Sequence, residues 1–241
     1  MHAASSSGRR HPEGATDMAQ GNASVADIAP PPRRSQAERS AATRAKILTA
    51  ARDVLQSQGY SGATMSAIRD AAGMSLGAIQ YQYSSKAKLM AAVVEDLSAR
   101  RAEIYADAIQ RGATPRASME NLIDANLALA SQPEAAAALE IHLARRNDPE
   151  LDEEVAPIAL QHDRQILSWS QELLHSTGID ATSMESLQLL SNAVTRGLTV
   201  EYIRNRDQPA IDRAATLWRA QMLALLFGTS EEADESCHDV H

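Results

Sequence analysis

An all-α fold is the expectation for this chain of 241 residues, and two features lead to it. Apolar residues make up 44% of the chain but aromatic ones only 3%, so a core has to be assembled from Ala, Leu, Ile, Val and the eight Met. Ala, Leu and Met favour helices, whereas the aromatic types that strands prefer are scarce, which excludes a β-sandwich or barrel. Apolar positions also recur every three or four residues in segment after segment, the periodicity of helix faces. At the usual ~100 to 200 residues per domain, the length allows one large domain or two smaller ones.

The elements follow in chain order. Residues 1–35 are expected to be a disordered tail: they are rich in Ser, Ala, Gly and Pro, contain Pro30-Pro31-Pro32 and lack the periodicity that would offset the entropy of ordering. Arg33-Arg34 at its end reads as a solvated linker or as a basic arm. From Ser40 to Gln58, Ile47, Leu48, Ala51, Val54 and Leu55 repeat at helical spacing, with Gly59 as terminator. Thr64 caps a short helix that buries Ile68, Ala71 and Ala72 and stops at Gly73; Ser75 caps another that runs to about Tyr81. Two short helices joined by a tight turn at Gly73-Met74 have the form of a helix-turn-helix.

A long helix follows the Ser84-Ser85 cap to about Arg111, carrying Leu89, Val93, Val94, Leu97, Ile104 and Ala108, and is expected to connect a head to a body. Further helices are read at 117–131, 134–146, 149–177, 183–206 and 209–227, with Asp148 ahead of Pro149 and a Thr182/Glu185 capping box marking two starts. Pro157 lies inside one of them and is expected to kink or divide it. Residues 229–241 are acidic, almost free of apolar residues, and expected to be disordered. The division expected is therefore 36–84 as head and 85–228 as body.

The net charge of −8 hides an asymmetry. Residues 33–101 carry 11 Lys and Arg against five acids, whereas residues 102–241 carry 10 against 23. A basic head on an acidic body suits phosphate contact in one part and solubility in the other. The single Cys237 can form neither an internal disulfide nor a cysteine-based metal cage. No run approaches the ~18 apolar residues of a membrane span. Arg9-Arg10 are followed by His11, Pro12 and Glu13 rather than an apolar export segment. A cytoplasmic protein without membrane partner, metal or cofactor is the expectation.

The stretch Arg44-Ala-Lys-Ile-Leu-Thr-Ala-Ala51, then Gly59-Tyr60, Thr64, Ile68, Ala72-Gly73-Met74-Ser75, Gly77, Ile79, Tyr81, Tyr83, Ser85-Lys86 and Leu89 resembles the N-terminal pattern of the TetR family of bacterial transcription regulators in order and spacing. Departures are Gln80 where Tyr is frequent, Gln82 for His, Tyr83 for Phe, and Ala87 where an acid is usual. The resemblance implies a three-helix DNA-binding head with a helical body that binds a ligand and dimerises. It implies a ligand-responsive regulator, a repressor released from its operator by a small-molecule effector.

The residues support specific roles. A recognition helix enters the major groove by its N-terminal end, so Ser75, Leu76, Gly77 and Ala78 permit close approach, while Gln80 and Gln82 can read an adenine edge. Thr64 and Tyr81 suit phosphate contact through hydroxyls. Lys86, a cation in a first helical turn, opposes the macrodipole unless an anion such as phosphate offsets it. In the body, the polar or aromatic interruptions Tyr105, Asn126, His142, His162 and Trp169, with Met119 and Met184, are candidate ligand residues. His142 stands near Glu140, Arg145 and Arg146, a cluster able to pair with a carboxylate or to form surface ion pairs. Leu190, Val194, Leu217 and Trp218 are candidates for a homodimer interface, with Ser191, Ala193 and Gly197 allowing close approach. A helical enzyme without a legible active site, or a constitutive DNA-binding protein without effector, are the competing readings.

Overall fold

The computed structural model describes residues 35–175 and 178–228. Arg33-Arg34, the expected tails and Cys237 lie outside the described residues. The described residues from Gln36 to Gly228 belong to one compact unit. Its helices are α1 (Gln36–Gly62), α2 (Met65–Ala72), α3 (Leu76–Gln82), α4 (Lys86–Gln110), α5 (Pro115–Ala128), α6 (Pro133–Ala144), α7 (Pro149–Leu174), α8 (Ala181–Asn205) and α9 (Gln208–Phe227). Short 3-10 turns, Leu129–Ser131 and Arg145–Asn147, extend α5 and α6.

Side-chain caps set most of the boundaries. Thr64, Ser75, Ser85, Thr114, Asp148 and Asp207 each accept a hydrogen bond from the backbone N–H three residues on. Such a cap is worth ~1 kcal/mol. Gly73 ends α2 in the left-handed region (φ 59°, ψ 44°), which lets the Met74 N–H reach back to the Arg69 carbonyl. Gly59, at φ 69° and ψ 178°, breaks α1 one turn before its end.

Three expectations are corrected. The Thr182/Glu185 capping box is not used: Asp180 caps α8, taking the Ser183 N–H on one oxygen and the Ser183 hydroxyl on the other. A carboxylate at a helix N-terminus also gains from the macrodipole, so Asp180 takes the capping position and Thr182 falls in the first turn. Of the two outcomes expected at Pro157, division does not occur, since α7 runs unbroken from Pro149 to Leu174. Pro157 and Glu153, whose carbonyl loses its intrahelical donor, are both exposed, so water replaces the missing bond. Ala71, expected inside, is exposed, and only Ile68 and Ala72 of α2 are buried.

Two principal cores result. The first gathers Ile47, Val54 and Leu55 of α1, Ile68 of α2, Ile79 of α3, and Leu89, Met90 and Val93 of α4. It continues without interruption into Ile141 of α6 and Leu151 and Val155 of α7. The head is thus packed on α6 through α1, while α7 packs on α4. The second core joins Tyr105 of α4, Met119, Leu122 and Ile123 of α5, Leu174 of α7, Met184 of α8, and Met222 and Leu226 of α9. Helix α4 runs from the first core into the second.

Candidate nucleic-acid interface and body cavity

The candidate recognition helix is α3. Ile79 and Tyr83 are buried beneath it, which turns the opposite side outward. On that side Tyr81 is 84% exposed, Gln80 is exposed, and Gln82 is partly so. At the N-terminal end Gly77 has open space around the position a Cβ would occupy, and Leu76 and Ala78 are half-buried. A duplex can therefore approach the start of α3 closely while two amides and a phenol project beyond it. Thr64 and Ser75 use their hydroxyl oxygens as acceptors for the Ala67 and Ala78 N–H groups. Each hydroxyl proton stays available to a phosphate.

Lys86 has a partner inside the protein. Its ammonium donates to the Tyr60 carbonyl at 2.6 Å and sits over the Tyr60 ring, 3.8 Å from the centroid. These contacts supply the offset that its position against the α4 dipole requires, so the phosphate invoked from the sequence is not needed for that purpose. Burial lowers the Lys86 pKa, opposed by Asp148. Tyr60 is a junction: its N–H donates to Glu140 of α6 at 2.5 Å and its hydroxyl to the Asp148 cap of α7 at 3.1 Å. Burial first, then the Asp148 carboxylate, push the Tyr60 phenol up to about 12. The last turn of α1 is thus pinned to α4, α6 and α7 at once.

The body holds a half-open cavity between α4, α5, α7, α8 and α9, with about 660 Å³ of empty space that includes its mouth. Apolar side chains, Leu122, Ile123, Ile166, Leu174 and Leu226 among them, form most of its wall, with Met119, Met184 and Met222. Tyr105 and Asn126 stand on it as a linked pair: the buried Tyr105 hydroxyl donates to Asn126 Oδ1 at 2.6 Å. Asn126 Nδ2 then donates to Ser191 Oγ (3.3 Å) and Thr195 Oγ1 (2.9 Å) of α8. Beyond this pair lies a second, more polar chamber of about 590 Å³ that includes His142, Thr195 and Arg196. Arg101, Asn126, Asp163 and Asn192 border both. Burial, reinforced by Arg145, Arg196 and Arg101, lowers His142 to about 4; burial and Arg101 do the same to His162. Both imidazoles are therefore neutral at pH 7. Burial raises the Asp163 carboxyl, against the pull of Arg196 and Arg101.

The family model for bacterial regulatory proteins of the tetR family matches residues 47–93, which is α1 from Ile47 through the first turns of α4. The HTH-type transcriptional regulator CymR of Pseudomonas putida is 27% identical over 184 residues, covering 76% of this chain and 90% of CymR. A TetR transcription regulator from Haloarcula marismortui superposes with a TM-score of 0.65 at 20% identity, over 77% of this chain and 98% of that one. The transcriptional regulator FadR of Bacillus subtilis, solved in complex with stearoyl-CoA, gives 0.59 at 18% identity over 77% and 98%. The two structures share the fold; the family model fixes the head. The chain carries the DNA-binding head of the tetR family over residues 47–93 and is similar to such regulators over most of its length. It is a DNA-binding transcriptional regulator, and its helix-turn-helix is α2–α3.

Within this TetR-family frame the body residues picked out from the sequence separate. Tyr105, Met119, Asn126, His162 and Met184 line the large cavity. His142 borders the polar chamber instead, where its Nδ1 lies 3.2 Å from Arg145. Of the two roles expected for the cluster around it, the ion pair is the one formed: Arg145 pairs with Asp152 at 2.8 Å, while Glu140 accepts from the Tyr60 N–H. Trp169 packs against the second core and is not on the cavity wall. Leu190 and Leu217 are exposed, whereas Val194 and Trp218 pack inward against this chain's own cores. Ser191 faces the cavity. The residues missed were Arg101, Asp163, Gln188, Asn192 and Arg196. Arg101 carried a signal, because Leu97, Arg101, Tyr105 and Ala108 share one stripe of α4, and a cation there interrupts a buried face. Among the described residues, no three of His, Cys, Asp and Glu converge as metal ligands, and no helix is long and apolar enough to cross a membrane.

Proposed function

We propose that the protein is a homodimeric repressor of the cytoplasm, released from its operator when a small molecule occupies the body cavity. The observation that carries this is the path of α4. Its first turns bury Ala87, Leu89 and Met90 in the core shared with the head, and Lys86 is bonded to Tyr60. Two turns or more further on, Arg101 and Tyr105 of the same helix form the cavity wall. A ligand that shifts α4 at Arg101 and Tyr105 shifts the head through a continuous rigid element. Its leverage is its differential affinity for the two positions of α4, typically about 1–3 kcal/mol in allosteric proteins. On this reading residues 36–84 form the DNA-binding part and 85–228 the regulatory part, with Thr64, Ser75 and Tyr81 on phosphates and Gln80 and Gln82 on base edges. Lys86 holds the last turn of α1 against α4, so its ammonium reaches a phosphate only as a second partner.

The second copy is expected on α8 and α9. Leu189, Ala193, Gly197, Val200 and Ile203 form an exposed stripe on α8, and Ala214, Leu217 and Leu225 form one on α9. Exposed apolar stripes on two adjacent helices suit a two-fold four-helix contact. Such a dimer would place two α3 helices ~34–36 Å apart, one turn of DNA.

The test is a gel shift with the region upstream of the gene, run across salt concentrations. Each neutralised phosphate is expected to contribute about −0.9 to the slope of log K against log salt. Affinity that is independent of salt, or equal for every sequence, refutes the proposal.

A further inference from the structure

The body cavity has one uncommitted cation on its wall. Arg101 presents five N–H donors, yet no hydrogen bond and no ion pair within 4 Å satisfies them among the described residues, unlike Arg52 or Arg145, which are paired. It borders the apolar cavity, the polar chamber beside it, and a smaller space of about 410 Å³ near Ser98 and Ala159. The charged and titratable groups around it come from every neighbouring helix: His142 on α6, His162 and Asp163 on α7, and Arg196 on α8. With both histidines neutral, Arg101 and the exposed Arg196 stand against the single carboxylate of Asp163, which leaves a surplus of one positive charge. An unpaired cation in a half-desolvated wall is costly, and an anion with two oxygens would engage it bidentately.

We infer that the effector is a small, largely apolar monocarboxylate whose anionic group pairs with Arg101 while its body fills the space lined by Leu122, Ile123, Ile166 and Leu226. This rests on the reading of the body cavity as an effector site. The surplus is a single charge, so a monoanion neutralises the ring, whereas a dianion adds a second negative charge beside Asp163. An uncharged molecule of the same shape leaves Arg101 unpaired and forfeits the charge-assisted bonds. The position also explains how such a ligand acts, because the pairing group belongs to α4.

The experiment measures binding by calorimetry and operator release by gel shift on the full chain, with octanoate and phenylacetate set against octanamide, phenylacetamide and octyl phosphate. Each acid is expected to bind at least tenfold more tightly than its amide. Arg101→Gln is expected to erase that difference while amide affinity stays within about threefold. Amides or octyl phosphate binding as well as the acids, or an acid preference that survives in Arg101→Gln, overturns the inference; so does the failure of all five probes to bind. Acids that bind through Arg101 without releasing the operator uphold the inference and refute the regulatory reading. A ligand-free measurement checks the premise: Arg101→Met is expected to melt no lower than the wild type. A drop of more than a few degrees would make Arg101 a structural partner of Asp163 and overturn the inference.

Discussion

Leu217→Ala is the most informative perturbation of the proposed dimer, because the structure separates its effect on assembly from its effect on folding. Leu217 is 65% exposed in the single chain, so its truncation removes little intramolecular packing, and the stability of each chain is expected to change by no more than about 0.5 kcal/mol. In a two-fold interface the same face is covered by the partner. Truncation deletes three carbons at about 0.8 kcal/mol each, and weighting by the exposed 65% leaves about 1.5 kcal/mol per copy. Both copies lose it, so the dimer weakens by about 3 kcal/mol, roughly a hundredfold in dissociation constant. Sedimentation equilibrium of wild type and variant reads this directly. Leu189→Ala, at 69% exposure on α8, should behave alike. Val194→Ala and Trp218→Ala are the contrast: both side chains pack on this chain's own cores, so they should lower the melting temperature first. An unchanged dissociation constant for Leu217→Ala and Leu189→Ala, or a wild type monomeric at micromolar concentration, would refute the assignment of this face.

Other outcomes follow from the same geometry. Gln80→Ala and Gln82→Ala should alter the preferred base at one operator position by about 1–3 kcal/mol, as read by binding-site selection, whereas Tyr81→Phe should weaken all sequences alike. Asn126→Ala strands the buried Tyr105 hydroxyl and is expected to cost about 1–3 kcal/mol in denaturant unfolding; Asn126→Leu should cost as much if the bonds rather than the volume matter. Acid should destabilise the body in a defined window. His142 and His162 hold folded pKa values of about 4 against 6.5 when unfolded, so between these the unfolded chain binds more protons. Stability is then full above pH 6.5 and falls as pH drops toward 4, by up to about 3 kcal/mol for His142, facing Arg101, Arg145, Arg196 and His162. His142→Gln should flatten the melting temperature across that window, and an unchanged pH profile would contradict the burial argument.

The helices, their caps and the head were legible because they depend on neighbours in the chain. A Ser or Thr three residues ahead of a free N–H, a Gly where the backbone turns left-handed, and apolar residues every three or four positions act within a turn or two; Thr64, Gly73 and Ser75 are read off directly. Asp180 shows the limit of even this local reading, since Asp and Thr both cap well and only the path of the chain chose between them. The exposed face of α3 was legible for the same reason, as α3 is a single short helix whose buried Ile79 fixes which side Gln80 and Tyr81 present. Asp163 and Arg196, and the charge balance they make with Arg101, had to wait for tertiary structure, because a balance among α4, α7 and α8 is a property of helix packing and not of any segment. So did the partner of Lys86. The helix dipole demanded an offset that the local sequence could not supply, and the fold placed the Tyr60 carbonyl, 26 residues away, where it could. The two faces of α8 and α9 were likewise indistinguishable in a sequence rich in Leu and Ala on both sides. Burial of Val194 and Trp218 against one chain, and exposure of Leu189 and Leu217, were decided by which surface the other helices had already covered.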